Sequence, residues 1–207
     1  MRLPASIALS AACVALAVAG PAGQARDQGR PGASLERTFA AGGEILMDLS
    51  AGEYTISGTS DGRIRVDWSV ERDRQLSDVR ADIDVDDEEA RIRVDGSNNN
   101  FRATIQVPSR SDLRVRLTAG ELKIEGIEGS KDVRLHAGEI DIDVGRADDY
   151  SRADVSIWAG EINAEPFGAS RDGLFRSLDW DGEGPYDLRV RLKAGEVTLR
   201  GARASRD

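Results

Sequence analysis

Apolar and polar residues alternate with a period of two along most of the chain from Gly43 onward. In GRIRVDWSV, the residues on one face of an extended strand are Ile64, Val66, Trp68 and Val70. The stretches VRADIDVDD, RIRVDG and FRATIQVP follow the same rule. Such alternation is typical of a strand with one buried face, and the sequence shows no helical period over the length of a helix. The chain is therefore predicted to be an all-β protein.

Two strand boundaries are marked within this alternating region. The segment GSNNN at residues 96–100 lies between two alternating runs and has the composition of a hairpin loop. Pro108 ends the second run, because proline has no N–H to donate to a β-ladder. The sequence therefore predicts a hairpin at this point.

A second pattern is the triplet Ala-Gly-Glu, which occurs five times between two short apolar alternations. The copies begin at Ala51, Ala119, Ala137, Ala159 and Ala194. A recurrence of about 20 residues is typical of a solenoid in which each repeat adds one rung. The predicted fold is a single-chain β-solenoid, a β-helix-like stack of short strands with Ala-Gly-Glu corners.

Each triplet falls where the inward-facing set of residues shifts by one position. In VRLTAGELKIEG the inward set is Val115, Leu117 and Ala119, followed by Leu122 and Ile124. One extra residue in a strand produces a bend or bulge, and glycine supplies the backbone freedom for it. We therefore expect alanine to pack inside a corner, glycine to turn the chain and glutamate to point outward.

Stacking these corners brings like charges together. The glutamates concerned are Glu53, Glu121, Glu139, Glu161 and Glu196. Rungs about 4.8 Å apart give a repulsion of roughly 1 kcal/mol between two unit charges in water. The outward basic residues expected to offset it in a charge ladder are Arg116, Arg134, Arg191 and Lys123. The alternative interpretation is that the glutamates bind a cation or another ligand.

Three aromatic residues near the C-terminal repeats are candidate contact residues: Trp158, Trp180 and Tyr186. They could form a platform for carbohydrate. The interpretation favoured here is that Trp180 and Tyr186, with Phe167 and Phe175, cap the last rung. An uncapped solenoid would expose its core and its strand edges.

The sequence offers no catalytic arrangement. His136 is the only histidine, it occupies a variable position of the repeat, and no nucleophile-elbow motif is present. The acidic run DIDVDDEE lacks the glycine and the glutamate that a helix-loop-helix calcium loop requires. No catalytic residue, cofactor or metal ligand is predicted. A glycosidase with two carboxylates is left open, because acidic residues are abundant.

The N-terminus has the pattern of a secretory signal at residues 1–25. Arg2 supplies the positive charge, residues 5–19 form an apolar run, and Gly23 and Ala25 suit cleavage before Arg26. Cleavage after Ala19 is the alternative. Residues 26–40 are predicted to be a mobile leader, 41–201 the solenoid domain and 202–207 a C-terminal tail. The expected location is exported, either periplasmic or secreted.

Charge and cysteine content narrow the partners. The chain has 28 basic and 37 acidic residues and a net charge of −9, which disfavours nucleic acid. Cys13 is the only cysteine and lies within the signal, so the mature chain is expected to have no disulfide. No second apolar span follows, so no transmembrane anchor is expected in the mature chain. The oligomeric state is left open.

Several segments resemble those of the bacterial adhesin-like family of domains of unknown function. They are AGEYTIS, IQVPSRSDLRVRLTAGELKIEGIEG, the repeated AGEI and WDGEGPYDLRVRLKAGEVTL, within residues 41–201. The resemblance implies a single-chain β-solenoid in an exported or envelope-associated protein, with no catalytic residue set. The expected function is a non-enzymatic structural or interaction module whose partner is an envelope protein or glycan. The alternative is a carbohydrate-active or cation-binding protein that uses the glutamates and aromatic residues.

Overall fold

The computed structural model describes residues 32–96 and 101–201, which fold around a sheet of twelve strands. The predicted signal peptide and C-terminal tail lie outside these residues. The strands are β1 (Gly32–Thr38), β2 (Glu44–Leu49), β3 (Gly52–Thr59), β4 (Arg63–Ser69), β5 (Arg80–Asp86), β6 (Glu89–Asp95), β7 (Arg102–Pro108), β8 (Asp112–Glu125), β9 (Lys131–Gly145), β10 (Tyr150–Ala164), β11 (Ala169–Asp181) and β12 (Tyr186–Gly201). A short helix, α1 (Asp73–Leu76), and the 3₁₀ turns Ala147–Asp149 and Glu165–Phe167 lie between them. The all-β prediction is confirmed. Within the described ranges, no helix has the length and apolar character needed to cross a membrane.

Four long strands bend at their Ala-Gly-Glu triplets without losing their ladder partners. They pair in parallel in the order β8, β9, β12 and β10, with the triplets in register. The glycines at these corners have φ values of +119° at Gly120, +135° at Gly138, +134° at Gly195 and +136° at Gly160. Only glycine adopts such values readily, and an added Cβ would overlap the carbonyl oxygen of the neighbouring glycine. The parity shift in the sequence therefore located the corners correctly.

The alanine of the triplet does not behave as expected. Ala137 and Ala194 are exposed, and Ala51, Ala119 and Ala159 are half-buried. The prediction that alanine packs inside the bend is wrong. The larger apolar residues on either side of the corner are buried there, as Leu117 and Leu122 are in β8. The alanine is left on the rim.

Two further pairs of strands continue the same bent arrangement. β2 pairs with the first half of β8 and β3 with its second half. β6 then pairs with β2, and β7 with β3. β6 and β7 are therefore the two halves of one bent layer, and residues 97–100 between them lie outside the described residues. The hairpin prediction is wrong, because over the described residues β6 and β7 each bury one face by extending the stack and do not pair with each other.

The order of pairing departs from chain order. A simple solenoid adds each strand beside the preceding one, whereas β12, at the end of the chain, lies between β9 and β10. β11 adds antiparallel to β10, and β5, β4 and β1 add antiparallel at the other end. The structure thus shows a mixed sheet with parallel and antiparallel ladders.

The first strand changes the predicted domain boundary. β1 lies within the segment predicted to be a mobile leader, yet it pairs with β4 along its whole length. The Glu36 carboxylate accepts hydrogen bonds from Arg63 at 2.7 Å and from Arg65 at 2.7 and 2.9 Å. The leader prediction is wrong for residues 32–38. The sequence of this strand has no strong apolar alternation, because backbone pairing and ion pairs hold the strand in place.

The core is built from columns of equivalent side chains. Val115, Val133, Val190 and Val155 are aligned on neighbouring strands, and each is 0% exposed. Complete burial of such a side chain contributes about 1.5–3 kcal/mol. These columns hold both halves of each bent strand and fix the position of the corner between them.

One column contains a buried charge. Lys131 is aligned with Leu113 and Leu188 and is 1% exposed. Its Nζ donates hydrogen bonds to the Gly129 carbonyl oxygen at 2.8 Å and to the Tyr150 hydroxyl at 2.9 Å. Burial lowers the pKa of Lys131 to about 8. Sequence reasoning missed this residue, although the parity of its strand places it inward.

Candidate binding site

The outer side of the corners carries a row of carboxylates. In ladder order the row runs Glu53, Glu121, Glu139, Glu196, Glu161 and Asp172, with Arg102 beside Glu53. The five predicted glutamates are therefore brought together in one register. Asp172 on β11 extends the row, which sequence reasoning missed because β11 lacks the triplet. We call these six residues the carboxylate row.

The charges of the row are mostly uncompensated. Glu53 forms an ion pair with Arg102, and Glu196 accepts a hydrogen bond from Thr198 at 3.1 Å. In residues 32–96 and 101–201, no ion pair or hydrogen bond involves the side-chain carboxylates of the other four members. Those members are Glu121, Glu139, Glu161 and Asp172.

The expected ladder of alternating charges does not form. Arg116 approaches Asp48 at 3.8 Å and Arg134 binds Asp132 at 3.1 Å. Lys123 instead binds Glu125 at 2.7 Å. The prediction of an arginine-paired row is wrong for these residues. The arginines precede the corner and the glutamates follow it, so the bend directs the two sets toward different partners.

One end of the row, from Glu139 to Asp172 in ladder order, borders a shallow groove. Its lining residues are Gly138, Glu139, Gly160, Glu161, Asp172, Gly195 and Glu196, and its volume is about 480 Å³. Because glycine has no side chain, backbone forms the floor of the groove, and the carboxylates form its wall. Over the residues described, no cluster of three or more His, Cys, Asp or Glu side chains is arranged to hold a metal ion.

An exposed apolar cluster lies beside this groove. Trp158 is 56% exposed, Leu174 is 61% exposed and Phe175 is 73% exposed. The rings of Trp158 and Phe175 meet edge to face with centroids 5.9 Å apart. Leu174 is the ladder partner of Ala159, so the cluster lies on the same corner as the groove. We call these three residues the corner patch.

The other predicted aromatic residues lie elsewhere. Trp180 packs on Phe167 with ring centroids 5.1 Å apart, and Tyr186 packs on Tyr150 at 6.2 Å. Phe167 and Tyr150 are themselves in contact at 6.0 Å, which joins the four rings. The structure thus separates Trp158, on the outer surface, from Trp180 and Tyr186, which are half-buried against the core. Phe175 belongs to the outer set.

The remaining candidates do not form a comparable surface. His136 is exposed on the outer face of β9. Arg93 lies 3.1 Å from Asp84 and 3.7 Å from Asp82, so it compensates part of the charge of the acidic strand β5. The carboxylate row and the corner patch are therefore the candidate site.

Comparison with known proteins gives a likeness of fold. No protein-family model matches the chain, and no curated protein matches it significantly. A solved structure from Clostridium sporogenes, whose name proposes cell adhesion, is 14% identical with a TM-score of 0.53. The match covers 83% of this chain and 100% of that one.

Two further solved structures, whose names propose adhesins, are more distant. One from Parabacteroides distasonis is 14% identical with a TM-score of 0.30, covering 83% of this chain and 71% of that one. One from Parabacteroides merdae is 12% identical with a TM-score of 0.30, covering 84% and 92%. These low TM-scores carry no argument. The Clostridium structure, with a TM-score of 0.53, confirms the adhesin-like resemblance at the level of the fold.

Proposed function

We propose that this chain is an exported, non-enzymatic β-solenoid that serves as an interaction module of the cell envelope. The bent strands are its rungs, and the corner face is the surface that meets a partner. This face comprises the carboxylate row and the corner patch. The fold supplies a rigid support on which these side chains are presented.

The solenoid interpretation is supported by the connections between the bent strands. Residues 126–130 lead from the end of β8 directly to the start of β9. Within this connection Glu128 N–H donates to the Ser109 carbonyl at 2.7 Å, and Ser109 N–H donates to the Thr59 carbonyl at 2.8 Å. Connections of successive layers thus bond to one another, as the turns of a solenoid do.

The observation that carries the interaction role is the exposed corner patch. Large apolar side chains grouped on a surface mark interaction sites more often than isolated ones do. Here the apolar group adjoins carboxylates that have no cation partner among the described residues. Burial of this face against the chain's own surface is disfavoured, because it would take those charges out of water without a partner. The likeness of fold to the Clostridium protein named for cell adhesion agrees with this role. Export is supported by the signal pattern of residues 1–25.

The proposal can be tested by site-specific photo-crosslinking in the organism that encodes the chain. A photoreactive phenylalanine analogue would replace Phe175, and a control would carry it at the exposed Asp84 on β5. We expect crosslinks to an envelope component from position 175 and none from position 84. Mass spectrometry should show a mature N-terminus at Arg26. A chain that keeps Met1 and stays in the cytosol, or equal labelling from both positions, would reject the proposal.

A further inference from the structure

We infer that the corner patch and the adjacent carboxylates form a docking surface for a basic polypeptide segment with an apolar anchor. This inference rests on the proposed function, because it names the class of partner for the same face. The anchor would pack on Trp158, Leu174 and Phe175. Lysine or arginine side chains would meet Glu139, Glu161, Glu196 and Asp172.

The stack does not require an apolar residue at position 158. The equivalent residues of the other long bent strands are Thr118, His136 and Lys193, and all three are exposed. A polar side chain therefore suits this position on the outer face of the corner. Trp158 loses little water contact in the isolated chain, since 56% of it stays exposed. Its presence is better explained by burial against a partner.

Phe175 gives an independent reason. Its φ is +52°, in the left-handed region that bulky residues rarely adopt. In residues 32–96 and 101–201, Asp87 is the one other non-glycine residue with a positive φ. Backbone strain of this kind clusters at functional sites, where the surrounding structure holds it in place. Phe175 is strained and also 73% exposed, so the isolated fold gains little from keeping a phenylalanine there.

The charge around the patch favours a basic partner: Glu139, Glu161, Glu196 and Asp172 lie on this corner, and the basic residues next to the patch are Lys193, in the row of Trp158, and Arg176, beside Asp172. On the β10–β11 ladder, Ala159 is paired with Leu174. Two residues further along β10, Glu161 is paired with Asp172. The carboxylates therefore lie on the same corner as the apolar side chains. A cationic segment complements them, whereas a second copy of this chain, with a net charge of −9, would bring the same carboxylates into opposition.

The free edge of β11 does not favour docking by regular strand addition. Among the described strands, β11 pairs with β10 alone. Its centre is distorted, because Gly173 has a φ of +115° and Arg176 Nε donates to the Asp172 carbonyl oxygen at 2.7 Å. Such a distortion interrupts regular pairing along an edge. Recognition is therefore assigned to side chains.

The test uses fluorescence anisotropy of the exported chain with a short labelled peptide of alternating lysine and leucine. The comparison peptides alternate lysine with serine and glutamate with leucine. We expect the lysine–leucine peptide to bind about tenfold more tightly than either comparison peptide, because it alone supplies both charge and anchor.

Matched variants locate the binding. Trp158→Thr/Phe175→Asn removes the two rings of the patch and leaves Leu174, and Trp158→His is the replacement if that variant does not fold. Glu139→Gln/Glu161→Gln/Asp172→Asn removes three charges from the row. The control Asp82→Asn/Asp84→Asn/Asp86→Asn removes three from β5. We expect losses of about tenfold for the patch and row variants and less than about twofold for the control.

Several results would overturn the inference. Equal weakening in the β5 control would indicate attraction to net charge, and equal binding of the lysine–serine peptide would exclude an anchor. Glycan binding abolished by the patch variant would assign the face to carbohydrate, and a patch-dependent dimer in sedimentation would assign it to a second copy. If position 175 still crosslinks to the envelope while the peptides fail, the partner class is wrong and the interaction role stands.

Discussion

The corners at Gly138 and Gly52 occupy the same row of the sheet, yet their surroundings differ. Gly138 lies within the unbroken strand β9 at a φ of +135°. Gly52 begins β3 after a break in the strand and does not have a positive φ. The Glu139 carboxylate has no ion pair or hydrogen bond in the described part of the chain, whereas that of Glu53 is paired with Arg102. One motif thus marks a corner, and neighbouring strands decide its conformation and charge partner.

The two terminal strands of the main pairing path show a similar contrast. β1 presents Glu36 bound by Arg63 and Arg65. β11 instead presents Leu174 and Phe175 to solvent. Charged side chains on an edge discourage further pairing, whereas apolar ones invite contact. The contrast agrees with protection of one end of the sheet and with the proposed interaction role of the other.

The largest effect is expected from breaking a corner with a positive φ. Gly138→Val should lower the free energy of unfolding by about 2–4 kcal/mol, because the backbone is strained and Cβ overlaps the Gly120 carbonyl. Gly52→Ala should cost less, about 1–2 kcal/mol, since no positive φ is involved there and the added Cβ meets the Phe101 ring at 2.9 Å. Urea denaturation of both variants measures the difference. Equal losses would contradict the distinction between the two corners.

The buried lysine provides the next largest effect. Burial lowers the pKa of Lys131 from 10.5 to about 8, so the folded state binds fewer protons than the unfolded state between these values. Stability should therefore rise as pH increases from 8 toward 10. Lys131→Leu/Tyr150→Phe should stabilise the chain by about 1–3 kcal/mol at pH 7 and remove this rise.

The double variant is used because Lys131→Leu alone leaves the Tyr150 hydroxyl without its 2.9 Å partner. Measurements should stay below about pH 10, where ordinary tyrosines begin to titrate. Burial raises the pKa of Tyr54 to about 12 and also raises that of Tyr150. Tyrosine ionisation in the unfolded state therefore destabilises the fold at higher pH. A flat wild-type profile from pH 8 to 10 would reject the prediction for Lys131.

A smaller gain is expected at the corner patch. Phe175→Asn should raise stability by up to about 1 kcal/mol, because asparagine tolerates the left-handed backbone better than phenylalanine does. Leu174→Ser is the control at an exposed neighbour, where apolar surface is lost without relief of a positive φ. Thermal melts compare the two variants. A clear loss of stability in Phe175→Asn would show that the ring stabilises the isolated fold, and would weaken its assignment to a partner.

The smallest effects concern the carboxylate row. Glu53→Gln should cost about 0–1 kcal/mol through loss of the Arg102 pair, whereas Glu139→Gln should be neutral or slightly stabilising by relief of repulsion. Melts of wild type and Glu121→Gln/Glu139→Gln/Glu161→Gln in chelator and in millimolar calcium complete the comparison. We expect no calcium-dependent shift. A large shift in wild type that disappears in the triple variant would favour a cation site.

Local pattern was sufficient for the all-β class and for the positions of the corners. Alternation identifies strands because side chains point to opposite faces at successive residues. The shift of parity at each triplet marks the inserted residue, and this required no knowledge of neighbours. The same parity also places Lys131 on the inward face, but it was not predicted to be buried because lysine is charged.

Tertiary structure alone decided the order of the strands and the partners of the charges. The triplets are nearly identical, so the sequence does not distinguish β12 beside β9 from β12 at the end of the stack. β1 has little apolar alternation and depends on the arginines of β4. Trp158 and Trp180 were both candidate contact residues on sequence grounds, yet Trp158 lies on the outer corner and Trp180 packs against Phe167. Each outcome depends on pairing between residues distant in the chain, which local periodicity does not encode.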